Sequence, residues 1–256
     1  MQALVLSGGN IKGAFQAGAI GALLRTGLRP GIITGISVGA LNGAFLVSRA
    51  ARSAAANGGV PDWPAVGEAL VAFWRERITG PEQLLNRRNA FDLGWRLLRK
   101  NWAGLVDMAP LYRLVDSELR PEGFLNPPVL FAFGAVSLDT GDIRYAPVDP
   151  DTGARVIEYV KASTAEPITM DLRVIAGESY YDGGLRDLAP LKRAIDLGAT
   201  SIVCVACQPE RVGDLGPEFP RGDPLRLVGR VMEIVTNELL NGDLATLVEV
   251  NQLLEE

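Results

Sequence analysis

Apolar and polar positions along this chain form short apolar runs that alternate with longer stretches of helical spacing. The first run, Gln2–Leu6, is followed by small residues spaced for a helix over residues 14–25. Short apolar runs between turn signals are typical of buried strands, and a period of 3.6 residues is typical of helices. Because the two kinds alternate, the chain predicts an α/β fold, a three-layer α/β/α sandwich with a mainly parallel central sheet. Further strands are predicted from residue 32 to the turn at Gly35 and at residues 129–136, 143–146, 170–175, 179–181 and 200–206, and further helices at 38–56, 155–163, 188–197 and from 224 onward.

The region from residue 60 to residue 120 has a different character. It holds all four tryptophans and shows no clear strand pattern. Asp62 before Trp63 and Pro64 predicts a helix start, because Asp caps helix N-termini and Pro fits the first turn. We therefore expect residues 60–120 to form a helical cap, inserted in a single domain that spans residues 1–256.

One apolar face within this region has two interpretations. Basic residues interleaved with Trp, Leu and Phe side chains suit a membrane surface. The alternative, favoured by the interruption at Gly94, is a cap whose apolar face packs on the domain while its arginines are solvated. The face comprises Leu84, Phe91, Trp95, Leu98 and Trp102, and its Phe91-Trp95-Trp102 part is the candidate for peripheral membrane contact.

Charge and cysteine content narrow the class of protein. The formal net charge of −5 argues against a nucleic-acid-binding protein, since phosphate contacts need a basic surface. We expect neither a transmembrane helix, because no uncharged apolar run is long enough, nor a signal peptide, because no basic segment precedes the first apolar run. Cys204 and Cys207 lie three apart in a strand pattern, on opposite faces, which predicts two ordinary core cysteines rather than a disulfide. Free cysteines fit a reducing compartment, so we expect a cytoplasmic location. Peripheral association with a membrane is compatible with this expectation.

The candidate nucleophile is Ser37, in the segment Gly35-Ile36-Ser37-Val38-Gly39. An apolar β-branched run precedes this segment and an Ala/Leu-rich run follows it, which predicts a strand, a sharp turn and a helix. Such a turn lifts a serine onto a strained corner above a sheet, and glycines avoid collisions on either side of it. The free N–H groups at the start of the helix favour negative charge beside the serine. A glycine-rich turn that spells this pattern by chance is the alternative.

The chain contains no histidine. A Ser-His-Asp triad and a histidine-ligated metal site are therefore both excluded within it. If Ser37 is a nucleophile, another side chain must accept its proton.

A glycine-rich loop, Ser7–Gly13, follows the first predicted strand and has several interpretations. It lacks the Lys-Ser/Thr pair that a P-loop needs after its last glycine. Asn10 stands where a dinucleotide fingerprint needs glycine, and no acidic residue follows about 20 positions later. In a third interpretation, the exposed N–H groups of Gly9 and Asn10 form an oxyanion hole. A turn that binds no ligand is an equal alternative.

The candidate base lies in the segment Asp182-Gly183-Gly184, which is first of all a turn signal. A carboxylate is normally too weak a base for a hydroxyl. It becomes an effective base if burial raises its pKa and the hydroxyl lies within hydrogen-bond reach. Tyr180 and Tyr181 would give Asp182 partial burial.

In this order, the segments at residues 8–13, 35–39, 162–167 and 182–184 resemble those of the patatin-like phospholipase family. The resemblance implies a Ser37–Asp182 dyad, an oxyanion hole from Gly8, Gly9 and Asn10, and hydrolysis of acyl esters of lipids through an acyl-serine. It implies no metal or organic cofactor. Motif-supporting positions are Lys12, Gly13, Gly35, Gly39, Gly183 and Gly184.

The chain departs from the family pattern at Asn10, where glycine is usual, so a side chain stands beside the oxyanion hole. Residues 60–120 correspond to the family's variable region, from which no substrate preference carries over. Two alternatives remain open at this point: a catalytically silent lipid- or protein-binding domain, and an acyltransferase that uses the same dyad.

Overall fold

The computed structural model describes residues 1–146 and 153–255. The strands are β1 (Gln2–Leu6), β2 (Ile32–Ile36), β3 (Asn86–Arg87), β4 (Val106–Asp107), β5 (Leu130–Ser137), β6 (Ile143–Ala146), β7 (Arg173–Ile175), β8 (Glu178–Asp182) and β9 (Ser201–Val205). The helices are α1 (Gly13–Arg25), α2 (Val38–Ala56), α3 (Trp63–Arg77), α4 (Ala90–Leu98), α5 (Ala109–Glu118), α6 (Gly153–Ser163), α7 (Leu191–Asp196) and α8 (Pro224–Glu255).

The central sheet has the strand order β7-β8-β5-β2-β1-β9, with β6 also paired to β5. Strands β5, β2, β1 and β9 are parallel, and β6, β7 and β8 join antiparallel at one side. The prediction of a mainly parallel central sheet is confirmed. Parallel strands are covered on both faces, which is why β1 and β2 read as nearly continuous apolar runs.

Successive residues of β1 point to opposite faces of the sheet and enter separate cores. Leu4 and Leu6 pack with side chains of α1, α2 and α3. Ala3 and Val5 pack with α7 and with Leu240 of α8. The helices therefore form a layer on each face of the sheet.

Most predicted bounds hold, and the differences have local causes. β1 and α2 begin and end as predicted, whereas α7 is shorter than the predicted helix at residues 188–197. The carbonyl group of Leu188 instead accepts a hydrogen bond from Gly8, and Pro190 stands just before the first helical residue. Cys204 is half-buried and Cys207 is buried, and both are free thiols, as expected. No helix in the described ranges is long and apolar enough to cross a bilayer.

Two expectations about residues 60–120 are wrong. Two short strands, β3 and β4, pair antiparallel there, because the chain folds back after α4. The apolar face of α4 is not packed on the domain: none of its residues is buried, and Phe91 and Leu98 are 83% and 81% exposed. The cap of Asp62 on α3 is present, since its side chain accepts a hydrogen bond from the N–H of Ala65.

Candidate active site

Ser37 occupies a strained turn between β2 and α2. Its backbone has φ 57° and ψ −124°, in a region that residues with a Cβ rarely enter. Such strain persists only where the surrounding structure enforces it, and it is typical of functional sites. The turn places the half-buried Ser37 side chain at the carboxyl end of the parallel strands, just before the N-terminus of α2.

The glycines on either side of Ser37 are required by close backbone contacts. A Cβ on Gly35 would lie 2.5 Å from the carbonyl oxygen of Gly39, and a Cβ on Gly39 would lie 2.2 Å from the carbonyl oxygen of Leu6. Both obstacles are backbone atoms, which cannot rotate away. The collisions expected from the sequence are therefore those of the turn with itself and with β1.

Asp182 ends β8 and lies close to Ser37 because of the sheet topology. β5 pairs with β2 through Gly134 and Ile36, and with β8 through Ala135 and Asp182. The Asp182 side chain is buried, and the Ser37 side chain lies close enough to lower its pKa. The structure therefore brings these two predicted residues together.

The glycines after Asp182 let the chain turn tightly at this position. The N–H of Gly184 donates a hydrogen bond of 2.8 Å to Oδ1 of Asp182. A Cβ on Gly183 would lie 2.5 Å from the carbonyl oxygen of Gly134. The turn thus fixes the carboxylate orientation through one of its own amides.

The C-terminal end of α6 and the residues just after it hold Ser37 and Asp182 in place. The buried hydroxyl of Ser163 accepts a hydrogen bond of 3.0 Å from the N–H of Ser37. The carbonyl group of Ala165 accepts one of 2.8 Å from the N–H of Asp182. Residues 162–167 are among the segments that resemble the patatin-like family, but nothing in their local pattern indicates these two distant partners.

Burial raises the pKa of Asp182 to about 7, and the nearby Glu166 carboxylate acts in the same direction. The nearby Ser37 hydroxyl and the hydrogen bond from the Gly184 amide oppose this rise by stabilising the charged form. Glu166 itself has a raised pKa because of burial, and its carboxylate accepts a 2.8 Å hydrogen bond from Thr169. A carboxylate with a pKa near neutrality is a much better proton acceptor than an ordinary aspartate.

The glycine-rich loop between β1 and α1 faces the same site. The N–H of Gly8 donates a 2.9 Å hydrogen bond to the carbonyl of Leu188, so this amide is occupied, contrary to its predicted role as a donor. Within the described ranges, the N–H groups of Gly9 and Asn10 have no such acceptor. Asn10 has a positive φ of 55°, and it lines the cavity together with Gly9 and Ser37.

Side chains pack closely beneath this loop. A Cβ on Gly9 would lie 2.2 Å from Cβ of Cys207, and one on Gly13 would lie 2.2 Å from a Val38 methyl group. Lys12 donates a 2.8 Å hydrogen bond from Nζ to the amide oxygen of Gln208. The predicted supporting roles of Gly13 and Lys12 thus have specific contacts.

Two cavities meet at Ser37, and both are also lined by Asn10 and Thr164. The first, of about 300 Å³, is hereafter the polar cavity, because it contains the polar side chains of Lys12, Glu166, Gln208, Glu233 and Thr236. Apolar side chains complete its wall: Ile11, Pro167, Met170, Leu185, Leu188 and Met232. The second, of about 70 Å³, is hereafter the apolar cavity, with Leu41, Trp74, Leu84, Leu85, Met108 and Leu111 in its wall. No group of three or more potential metal-ligating side chains occurs among the residues that the structure describes.

The fold and site define an α/β protein with a strained serine and a buried carboxylate at one edge of a mainly parallel sheet. The chain belongs to the patatin-like phospholipase family, whose model matches residues 4–195. Membership supports lipid acyl hydrolysis as the general class of activity.

Two further comparisons add little. Comparison with curated protein sequences gives no match. The crystal structure of VipD from Legionella pneumophila is similar at 15% identity and a TM-score of 0.39, over 79% of this chain and 49% of that chain. This chain thus spans about half the length of that protein, and a likeness at this level carries no functional argument.

Proposed function

We propose that the protein is a lipid acyl hydrolase in which Ser37 is the nucleophile and Asp182 is the general base. The observation that carries this proposal is the buried Asp182 carboxylate, whose pKa is raised to about 7, in the wall of the same cavity as the strained Ser37. Two backbone amides without an acceptor in the described structure, on Gly9 and Asn10, border the same cavity. A nucleophile, a base and oxyanion donors are the groups that acyl transfer requires.

The reaction then proceeds in two balanced halves. Asp182 takes the proton of the Ser37 hydroxyl as the serine oxygen bonds to the ester carbonyl carbon, and the carbonyl oxygen becomes an oxyanion. The amides of Gly9 and Asn10 stabilise that charge. When the carbon–oxygen bond to the alcohol breaks, the alcohol leaves with the proton held by Asp182. Water then gives a proton to Asp182, attacks the acyl-serine and releases the fatty acid, and the proton returns to Ser37.

Labelling by an organophosphonate and hydrolysis of a soluble acyl ester test the proposal together. We expect both Ser37→Ala and Asp182→Asn to fold and to lose about 10³-fold or more in turnover, as for residues that act as one unit. Ser37→Ala should also lose the label. Ser201→Ala and Asp196→Asn, which alter exposed residues in the same chemical way, serve as matched controls.

Three outcomes separate the alternatives. Full activity of Asp182→Asn would contradict the dyad. A folded wild type that is neither labelled nor active would favour a silent binding domain. Acyl transfer to an added alcohol in place of water would identify an acyltransferase that uses the same groups.

We also propose that residues 60–120 form a cap within a single domain. In this proposal the protein binds a lipid surface through the apolar face of α4. Phe91, Trp95 and Leu98 are exposed, and Trp102 follows them. Arg87 and Lys100 are exposed beside them, and Arg99 stacks on Trp95 at 4.4 Å. An apolar helix face beside cations complements an anionic membrane, at about 1 kcal/mol per basic residue near the surface.

Sedimentation with phosphatidylglycerol vesicles tests this surface. We expect the double variant Phe91→Glu and Leu98→Glu to lose vesicle binding but to hydrolyse a soluble ester at the wild-type rate. Val60→Glu, at another exposed apolar residue that lies outside α4, should bind like the wild type. Unchanged binding of the double variant would reject α4 as the contact.

A further inference from the structure

We propose that α8 forms the wall of the subsite for the alcohol part of the ester, and that this subsite selects an uncharged, hydroxyl-bearing alcohol such as glycerol over a phosphorylated one. This inference rests on the proposed function. It concerns which ester is cleaved, whereas the proposed function concerns how an ester is cleaved.

The different chemistry of the two cavities assigns the two parts of the substrate. An acyl chain consists of methylene groups and gains free energy only from leaving water, so it belongs in the apolar cavity. The alcohol part carries oxygens, and placing them against an apolar wall would leave them without hydrogen-bond partners. The polar cavity therefore receives the alcohol, and Ser37, which both cavities share, lies at the ester bond.

α8 contributes one side of the polar cavity through Gly229, Met232, Glu233 and Thr236. This helix begins at Pro224, beyond the last residue matched by the family model. The wall is therefore a feature of this chain that the family model does not describe.

The wall is fixed rather than loosely placed. Asn237 and Asn241 of α8 donate hydrogen bonds of 2.6 Å and 2.7 Å to the carbonyl groups of Pro209 and Glu210 in the segment after β9. Leu240 is fully buried against the sheet. Met232 lies five residues before Asn237 on the same helix and is consequently held at the cavity.

The same anchored segment reaches the oxyanion loop. Gln208 donates a 3.5 Å hydrogen bond to the Thr236 hydroxyl and accepts one from Lys12. The helix, the segment after β9 and the loop thus form one connected wall. An alcohol that contacts α8 therefore lies close to the proposed oxyanion donors.

The charges in this wall disfavour an anionic alcohol. Glu166 and Glu233 place two carboxylates in the lining beside Asp182, although Glu233 is paired at 3.1 Å with Arg230, which lies outside the lining. Lys12 is the single cation among the described lining residues, so the carboxylates still outnumber it. Hydroxyl groups can donate hydrogen bonds to these carboxylates and to the oxygens of Gln208 and Thr236. A phosphate is repelled by the carboxylates because it is negatively charged, and it has few protons to donate. The lining therefore complements a neutral polyol.

Three soluble esters with one acyl chain test the proposal: methyl octanoate, 1-octanoylglycerol and 1-octanoylglycerol 3-phosphate. We expect kcat/KM for octanoylglycerol to exceed that for its phosphate by about 10-fold or more, the range expected when a buried polar site meets the wrong group. The double variant Glu166→Gln and Glu233→Gln should narrow this ratio, because it removes two negative charges.

Met232→Trp tests the location of the subsite. It should lower kcat/KM for both glycerol esters by about 10-fold relative to methyl octanoate, because the larger ring fills space that only the larger alcohols need. Val231→Trp, on the same helix but 59% exposed and outside the cavity, is the matched control and should behave like the wild type.

The possible results are distinguishable. A preference for the phosphate ester, or an equal loss of all three substrates in a folded Met232→Trp, overturns the assignment while leaving the hydrolase intact. Wild-type protein that cleaves none of the three esters contradicts the proposed function itself.

Discussion

The two strand-to-helix turns at the carboxyl ends of β1 and β2 have the same topology but present different groups. In the first, which runs from Gly8 to Gly13, Gly9 and Asn10 line the cavity, and their backbone amides are the proposed oxyanion donors. In the second, which runs from Gly35 to Gly39, a side chain faces it. Each turn holds one residue with a Cβ at nearly the same positive φ, 55° at Asn10 and 57° at Ser37.

The obstacles around their glycines differ in kind. In the second turn, a Cβ at Gly35 or Gly39 would meet backbone atoms, whereas in the first turn one at Gly8 or Gly13 would meet the side chains of Leu188, Val38 and Trp74. Side chains can rearrange or be shortened by mutation, and backbone cannot. The turn that positions the nucleophile is thus rigidly determined, and the turn that presents the amides is open to adjustment.

The largest effect is expected for Gly39→Ala. The new Cβ would lie 2.2 Å from the Leu6 carbonyl oxygen, so β1 and α2 must separate. We expect a loss of at least ~3 kcal/mol in the free energy of unfolding, at the upper end of overpacking costs, measured by chemical denaturation. Gly18→Ala, in α1 with open space around its Cβ, should be neutral or stabilising. Equal stability of the two variants would contradict the comparison.

A smaller and reversible effect is expected for Gly8→Ala. Its Cβ would lie 2.6 Å from Cδ1 of Leu188, at the end of a side chain, and 3.3 Å from Cβ of Ser37. We expect a loss of about 10-fold in kcat/KM, since small displacements of reacting groups are costly. Adding Leu188→Val removes the obstructing carbon and should restore part of the activity. If kcat/KM of the double variant fell by more than the product of the two single effects, Leu188 would not be the obstacle.

These turns also show which parts of the site the sequence makes predictable. The strand, the serine and the flanking glycines of the second turn are adjacent in the chain, so their pattern indicates their geometry. Asp182 carries a recognisable local turn, and the resemblance to the patatin-like family implies its pairing with Ser37.

Other parts depend on contacts between distant segments and leave no local signal. Nothing near Ser163 indicates a bond to the Ser37 amide, and nothing near Gly8 indicates that Leu188 occupies its N–H. Met232 reads simply as one more apolar residue of a long helix, although it lines the cavity. The exposure of α4 is equally unpredictable, since an apolar face has the same spacing whether it is covered or free.

The pH profile tests the carboxylate that faces both turns. Asp182 must be deprotonated to accept a proton, so kcat/KM for a neutral ester should rise with pH, with a midpoint near its pKa of about 7. Glu166→Gln removes a negative charge that raises the pKa of Asp182, so the midpoint should move to lower pH. A midpoint below pH 5 in the wild type would contradict a buried base.

The same pKa has a consequence for stability. Because the pKa is raised in the folded state, the folded protein binds more protons than the unfolded chain between about pH 4 and 7. The contribution of Asp182 to the free energy of unfolding therefore falls as pH rises through this window. Asp182→Asn lacks this dependence. Between pH 5 and pH 8, the free energy of unfolding of the variant relative to the wild type, measured by thermal melting, should therefore rise by about 1–3 kcal/mol. A constant difference would contradict the shift.

The smallest effect is expected for Asn10→Gly in the first turn. Glycine adopts positive φ without steric cost, and asparagine is among the residues that tolerate it, so the loop should keep its shape. Turnover of methyl octanoate should stay within about 3-fold of the wild type, because the backbone N–H remains in place. Asn10→Val should be worse than Asn10→Gly, since a β-branched residue at this φ of 55° adds about 1–2 kcal/mol of strain. If Asn10→Gly instead abolished turnover, the Asn10 side chain would be needed for the reaction, and the distinction between a turn that acts through amides and one that acts through a side chain would fail.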